Sequence, residues 1–390
     1  MTKYKDKTPK QKRNLIIVLS IIAAIILTLL ILMIVFVVPV TGEKSNEHWY
    51  SRMEYTDDYA INLEKKPGED FKILAIADPQ LADLAEIGPK GDPLAEIELL
   101  VEKERPDLIV VQGDITWTAF TKLSVKKFVK CMDKLGIPWA PIMGNHEDEK
   151  EQGYYCNVDK NWVADQMMKS KTCLFKKGPN NIGGVGNYVI NIKENGKIKQ
   201  TLIFMDTHAK RIYPEFDNKV GYDYIYDSQM DWYRWVINGV TNLNGGIKPD
   251  SMLYIHIPLV EYGETYKEWE AWNKDQIENG KNDEDPYKKV GEKNEKECPG
   301  LINSGMFDLI KELDSTKYVF AGHDHINNYS LLYKGVRLSY ITKTGYKCSY
   351  KEGRTGGTYI IIGDNVSIRH AYAKYDNNKL INIINGDLIL

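Results

Sequence analysis

The sequence predicts an α/β domain of buried sheets behind one N-terminal membrane-spanning helix, and two patterns carry that reading. From Phe71 to Ala321, short β-rich apolar runs recur, several of them followed by a segment of helical period. Ahead of them, Leu15 to Val38 contain no charged side chain at all. Strands alternating with helices belong in sheets covered on both faces. An uncharged run of that length belongs in a bilayer.

Taken in order, residues 1–14 form a basic tail, with Lys3, Lys5, Lys7, Lys10, Lys12 and Arg13 against Asp6 alone. The 24 uncharged positions that follow make a helix of roughly 36 Å, enough for a hydrocarbon core of ~30 Å with some tilt. A cleaved signal peptide, the alternative with a cut near Pro39–Gly42, has a shorter apolar region of about 7–15 residues. A buried core helix is rarely apolar on every side. Residues 15–39 therefore read as a signal anchor, and the basic flank places residues 1–14 in the cytosol. The expected arrangement is a single-pass type II membrane protein with its main domain lumenal or extracellular.

Residues 40–69 are polar without clear period and read as a stalk. Residues 70–375 read as one domain, with no linker to split it, and 376–390 as a C-terminal tail. The strand candidates are 71–77, 108–112, 139–143, 201–205, 252–257 and 318–321, with helical period at 94–104, 121–135, 227–240 and 303–313. Residues 335–342 and 357–373 look like further strands, and 262–300, rich in Lys, Glu, Asn and Gly, reads as a long surface insertion.

Composition sets the limits. With 43 % apolar and 27 % charged residues the chain is ordinary for a globular protein. Its net charge of −3 hides the basic tail, so the rest is more acidic. That argues against nucleic acid as a partner, since phosphate backbones require clustered Lys and Arg. Five cysteines leave at least one thiol unpaired within the chain. Cys156 and Cys173 are the nearest pair in sequence and the candidate bridge. Asn328-Tyr329-Ser330 and Asn365-Val366-Ser367 match the glycosylation sequon.

Metal-ligating residue types gather where the apolar runs end. The run 71–77 leads into Asp78-Pro79-Gln80, 108–112 into Gly113-Asp114, and 139–143 into Gly144-Asn145-His146-Glu147. His256 lies in 252–257, and 318–321 leads into Gly322-His323-Asp324-His325. Four of the seven histidines fall in these places. Side chains at the carboxyl ends of neighbouring strands converge on one crevice. Each motif alone has an ordinary reading as a turn, a cap or a core histidine; the ordered set does not. Two divalent cations about 3.5–4 Å apart need an anionic bridge, and Asp114 can supply it. Imidazoles suit zinc, iron or manganese, and a carboxamide oxygen adds a harder neutral ligand. Such a pair lowers the pKa of bound water, giving hydroxide near neutral pH, and a nearby imidazole can protonate a leaving oxygen.

From about Phe71 to Tyr346 the chain resembles the calcineurin-like metallophosphoesterases, whose ordered signature is D-x-H, GD, GNH[ED], a lone His, and GHxH. It is most similar to their purple-acid-phosphatase-like branch, through GVGNYVI (184–190), HIPLVEY (256–262), INSGMF (302–307), GHDHINNY (322–329) and KTGY (343–346). The resemblance implies a four-layer αββα sandwich with two divalent metal ions (Mn, Zn or Fe) at the strand ends. It implies Asp78 and His325 on the first ion, Asp114 bridging, and Asn145, His256 and His323 on the second. His146 would be the acid that meets the leaving group. Two departures stand out. Trp117 fills the place of the purple enzymes' tyrosine, and indole offers only an N–H donor, so no tyrosinate–iron colour can form. Gln80 stands where histidine is usual, and can offer its carbonyl oxygen to the first ion. Asp206-Thr207-His208 also follows an apolar run, and the resemblance places it beside the cleft, off the metal. The function implied is hydrolysis of phosphate monoesters by a metal-bound hydroxide. Alternatives are a phosphodiesterase on nucleotides or lipid head groups, and a phospho-ligand-binding pseudoenzyme suggested by Gln80.

Overall fold

The computed structural model describes residues 7–36, 38–82, 91–149, 156–377 and 379–390. The start of the basic tail, with Lys3, Lys5 and Asp6, therefore lies outside the described residues, as do Val37 of the anchor and Asn378 of the tail. The chain divides into two units, 1–40 and 41–390. In the first, α1 (Pro9–Phe36) begins earlier than the expected anchor, taking in Lys10, Lys12 and Arg13, and stops ahead of Pro39. Its apolar side chains are exposed, and it is long and apolar enough to cross a membrane.

Among the described residues, the second unit holds two large sheets. One runs in the order β1 (Ile61–Glu64), β5 (Tyr188–Glu194), β6 (Lys197–Phe204), β9 (Asp250–Tyr254), β10 (Thr316–Ala321), β12 (Val336–Tyr340), β11 (Ser330–Tyr333). The other runs β15 (Lys379–Leu388), β14 (Val366–Asp376), β13 (Gly356–Ile362), β2 (Phe71–Ile76), β3 (Leu108–Val111), β4 (Trp139–Pro141). A separate hairpin joins β7 (Lys210–Tyr213) to β8 (Lys219–Tyr222). Among the described residues, the α-helices of this unit are α2 (Pro93–Glu104), α3 (Thr121–Leu135), α4 (Lys160–Met167), α5 (Asp227–Leu243), α6 (Glu261–Glu278) and α7 (Met306–Leu313).

Alternation along the strands makes the layers. Leu202, Phe204, Met252, Tyr254 and Phe320 join the core shared with the six-stranded sheet. Their neighbours Ile203, Leu253, Val319 and Ala321 turn the other way, onto α5, α6 and α7. Tyr188, Phe204, Tyr254 and Phe320 stack in a row across four strands, with ring centroids 4.5, 5.1 and 5.1 Å apart. Helices α2 and α3 cover the far face of the second sheet through Leu94, Ile97, Val125 and Phe128. The result is the αββα sandwich.

Three expected boundaries differ. The segment taken for a stalk belongs to the domain: β1 pairs with β5, and Trp49, Tyr55 and Ala60 are buried against α5. Aromatic burial holds it there, a signal that polar neighbours mask in the sequence. The expected tail forms β15, paired with β14 along its length. The expected insertion begins with α6, which buries only Glu261, Tyr262, Thr265, Tyr266 and Gln276, so its composition reads as a loop. All five cysteines are free thiols. Instead of bridging Cys173, Cys156 donates to the Glu147 and Val158 carbonyls, while Cys173 lies alongside Trp139 of β4. Of the sequons, Asn365 is exposed between β13 and β14, but Asn328 is buried, its amide donating to the Tyr372 hydroxyl at 2.6 Å.

Candidate metal centre

Parallel pairing brings the strand ends to one edge. Ile76 is level with Val111, Val111 with Pro141, and Tyr254 with both Phe204 and Phe320. The residues just beyond those positions therefore face one crevice. To turn back into it, Asp78 (φ 51°), Gln80 (φ 44°), Asp114 (φ 51°) and His323 (φ 72°) adopt left-handed backbone. That conformation costs an L-residue about 1–2 kcal/mol and gathers at functional sites. Two glycines make the room. A Cβ on Gly144 would sit 2.1 Å from Asp114 Oδ1, and one on Gly113 would sit 2.6 Å from the Gly144 nitrogen.

Among the described residues two groups of ligand atoms result, each within 4.8 Å: Asp78 with Asp114 and His325, and Asp114 with His256 and His323. Asp114 is common to both. His256 Nε2 lies 3.3 Å from Asp114 Oδ1 and 4.0 Å from Asp78 Oδ1, and His325 Nε2 lies 3.7 Å from Asp78 Oδ1. The Gln112 carbonyl oxygen, 2.7 Å from His256 Nδ1, can only accept, so it fixes the proton there and turns Nε2 into the crevice. Asn145 Oδ1 stands 3.1 Å from that Nε2. Burial drives the His323 pKa down to about 3 and that of His325 well below its ordinary value, which leaves both neutral, the form that ligates metal. Burial also pushes the Asp78 carboxyl up to about 6. At Asp114 burial acts upward too, but the His146 and His256 charges outweigh it and hold the carboxyl well below its ordinary value.

This donor set fits divalent cations. It combines imidazole nitrogen, carboxylate and carboxamide oxygen, a mixture suited to zinc, iron or manganese. His323 Nδ1, moreover, is buried without a hydrogen-bond partner among the described residues, a cost a ligand would remove.

His146 stands at the mouth with its side chain 17 % exposed. Its Nδ1 lies 2.8 Å from Glu149 Oε2 and its Nε2 3.6 Å from Asp114 Oδ2, while its backbone N–H donates to Asp114 Oδ1. Gln80 reaches the site, but not as expected. Its oxygen accepts from Lys343 Nζ at 3.1 Å, so the amide nitrogen, not the carbonyl, faces His325 Nε2 at 3.0 Å. His208 lies outside both groups, bonded to Gln229 at 2.9 Å and stacked on Tyr226, in a cavity wall that Lys160, Asp206 and Glu149 share.

Sequence reasoning left several working residues without a role. Glu147 accepts from the Asp114, Ile115 and Gly144 N–H groups and so ties two motif turns together. Glu149 receives the Asn145 amide at 2.9 Å and pairs with Lys210 of β7. Tyr222 of β8 sets its ring edge-on against His323. Glu147 closes the Gly-Asn-His-Glu motif and Lys343 opens KTGY, and both are buried charges; only those two carried any signal.

A family model for calcineurin-like phosphoesterases matches residues 71–327, a span that contains every candidate ligand. Over 318 residues the chain is 26 % identical to "Probable inactive purple acid phosphatase 14" of Arabidopsis thaliana, with 71 % of each chain covered. Over 301 residues it is 29 % identical to phosphatase DCR2 of Saccharomyces cerevisiae, covering 70 % of this chain and 47 % of that one. Among solved structures, a dimetal phosphatase from Danio rerio aligns with TM-score 0.47 and 11 % identity, over 81 % of this chain and 98 % of its own.

Proposed function

The chain belongs to the calcineurin-like phosphoesterase family, and on that premise we propose that it is a dimetal phosphatase acting on phosphate monoesters and anchored in a membrane by α1. The observation that carries this is the pair of ligand groups sharing Asp114. Asp78, Asp114 and His325 are assigned to one ion; Asp114, Asn145, His256 and His323 to the other. Bound there, divalent cations supply Lewis acidity toward phosphoryl oxygens and water.

The chain's own residues do the rest. Asp114, held by the Glu147-buttressed turn, gives both positions a shared anion. Gln112 fixes the His256 tautomer. His146 serves as the acid for the leaving oxygen. Burial lowers its pKa, but the charges of Asp114 and Glu149 outweigh that and hold it above the ordinary imidazole value, and Glu149 Oε2, 2.8 Å from Nδ1, fixes the ring with Nε2 turned toward Asp114. The cavity between Glu149, Lys160, His208, Lys210 and Asp223 is lined by the partner of His146, Glu149, and offers space for the alcohol portion of the substrate.

The basic flank of α1 supports a cytosolic N-terminus and a lumenal or extracellular catalytic domain. A second reading, phospho-ligand binding without turnover, draws on the Gln80 amide turned nitrogen-first toward His325. Metal analysis of the purified protein, with a panel of monoesters and diesters, separates the readings. Monoester turnover with manganese, zinc or iron supports the first. Diester turnover alone would move the chain to phosphodiesterases, and phosphate-ester binding without turnover supports the second.

A further inference from the structure

We infer that Lys343 decides how tightly the first position holds a cation, by turning the Gln80 amide so that it presents N–H instead of oxygen to the ligand set. The inference rests on the dimetal reading above.

Lys343 follows β12 and is 2 % exposed. Its amine donates to the Asp78 backbone oxygen at 2.6 Å and to Gln80 Oε1 at 3.1 Å. A lysine amine carries at least two N–H bonds whether charged or neutral, so both contacts survive either state. With its oxygen held there, Gln80 points Nε2 at His325 Nε2 (3.0 Å) and Asp114 Oδ2 (3.5 Å). A carboxamide nitrogen donates hydrogen bonds and offers no acceptor. From that side Gln80 cannot ligate a cation, and its N–H engages the ring nitrogen that His325 would use.

The second position is built the opposite way. Asn145 Nδ2 donates to Glu149 Oε2 at 2.9 Å, which leaves Oδ1 facing His256 Nε2 at 3.1 Å. Each carboxamide is thus set by the charged residue behind it. An acid behind Asn145 turns its oxygen in; a base behind Gln80 turns its oxygen away. The first position is left with Asp78, Asp114 and His325, with a buried amine close behind. The second keeps Asn145 as well as Asp114, His256 and His323. One ion should bind tightly and one loosely, and Lys343 sets the difference.

The test is calorimetric titration of Mn²⁺ into the chelator-stripped full-length chain in detergent, with melting curves to confirm folding. Wild type should bind one ion at least about 30-fold more tightly than the other. Gln80→Ala should not loosen the weaker ion by more than about threefold, because the amide contributes no ligand and its N–H competes for the His325 ring nitrogen; a modest tightening is within the same expectation. Lys343→Met should tighten the weaker ion about tenfold or more while the tighter one stays within about threefold. In that background Gln80→Ala should reverse most of the gain. Two ions of equal affinity would overturn the inference while leaving the dimetal reading intact; no ion bound at all would overturn both. A tenfold loss on Gln80→Ala alone would show that the amide oxygen already ligates, and overturns the inference even if Lys343→Met does not fold. Equal tightening by Lys343→Met with and without Gln80 would assign the effect to charge alone and refute the turned amide.

Discussion

His146 shows at the residue scale how neighbouring side chains in one turn divide their labour. Asn145 points its oxygen at His256, while His146 points at Glu149 and the mouth. Accordingly, His146→Ala should lower kcat by about 10²–10⁴ with metal content near wild type. Substrates with good leaving groups should recover part of that loss, since they need less protonation. Loss of an ion on this substitution, measured by elemental analysis, would make His146 a ligand instead of an acid. Most of the crevice was legible in the sequence because each residue stands beside an apolar run that announces its strand. Gln80 lies beside Asp114 and His325, where its motif puts it, but its orientation has no local signal. The partner that turns it, Lys343, lies far away in the chain, and no local pattern connects the two. The same holds for Lys210 on Glu149, which arrives from a hairpin outside both sheets.

The elements carry their own tests. Glu96 on α2 is buried and accepts from the Gly345 N–H, the Thr355 hydroxyl and the Tyr375 hydroxyl, tying α2 to the segment after β12 and to β14. Burial pushes its carboxyl up to about 7 from 4.5. Between those values the folded state binds the extra proton, so this contribution to stability is full below pH 4.5, is lost as pH rises through 7, and stays flat above. Glu96→Gln should flatten that part of the pH–stability curve, removing a fall of about 3 kcal/mol. Urea denaturation at pH 5 and pH 8 measures it, and parallel curves for variant and wild type would rule it out. On the opposite face, Gly239 of α5 lets Tyr55 approach so closely that a Cβ would lie 2.2 Å from its ring. Gly239→Ala should therefore cost about 1–3 kcal/mol, visible as a lower melting temperature. Helices with one apolar face, such as α3, α5 and α7, were legible from period alone. Element α6 was not, because it buries only a narrow stripe and two of its apolar positions are tyrosines. Strand β1 was not, because it is short and only half buried.

For the whole molecule, the unit 41–390 is the one expected to fold when α1 is removed, whereas 70–375 lacks β1, β15 and the Trp49–Tyr55 packing. The longer fragment should give a cooperative melt by circular dichroism and the shorter should melt far lower or aggregate; equal melts would deny residues 41–69 and 376–390 any part in the domain. In sealed vesicles, added protease should trim only the segment before α1 if the N-terminus is cytosolic, and digestion of the main domain would reverse the orientation. By itself the sequence determined the membrane-length helix, the α/β class, the family and the residue types that meet at the crevice, because each depends on period, run length or order along the chain. Tertiary structure alone decided that the expected stalk and tail belong to the domain and supply β1 and β15, that the cysteines are unpaired, and which way each carboxamide at the crevice is turned. Those outcomes depend on partners brought together by folding, and hydrogen-bond direction is set by the donor or acceptor that arrives, whatever its distance in sequence.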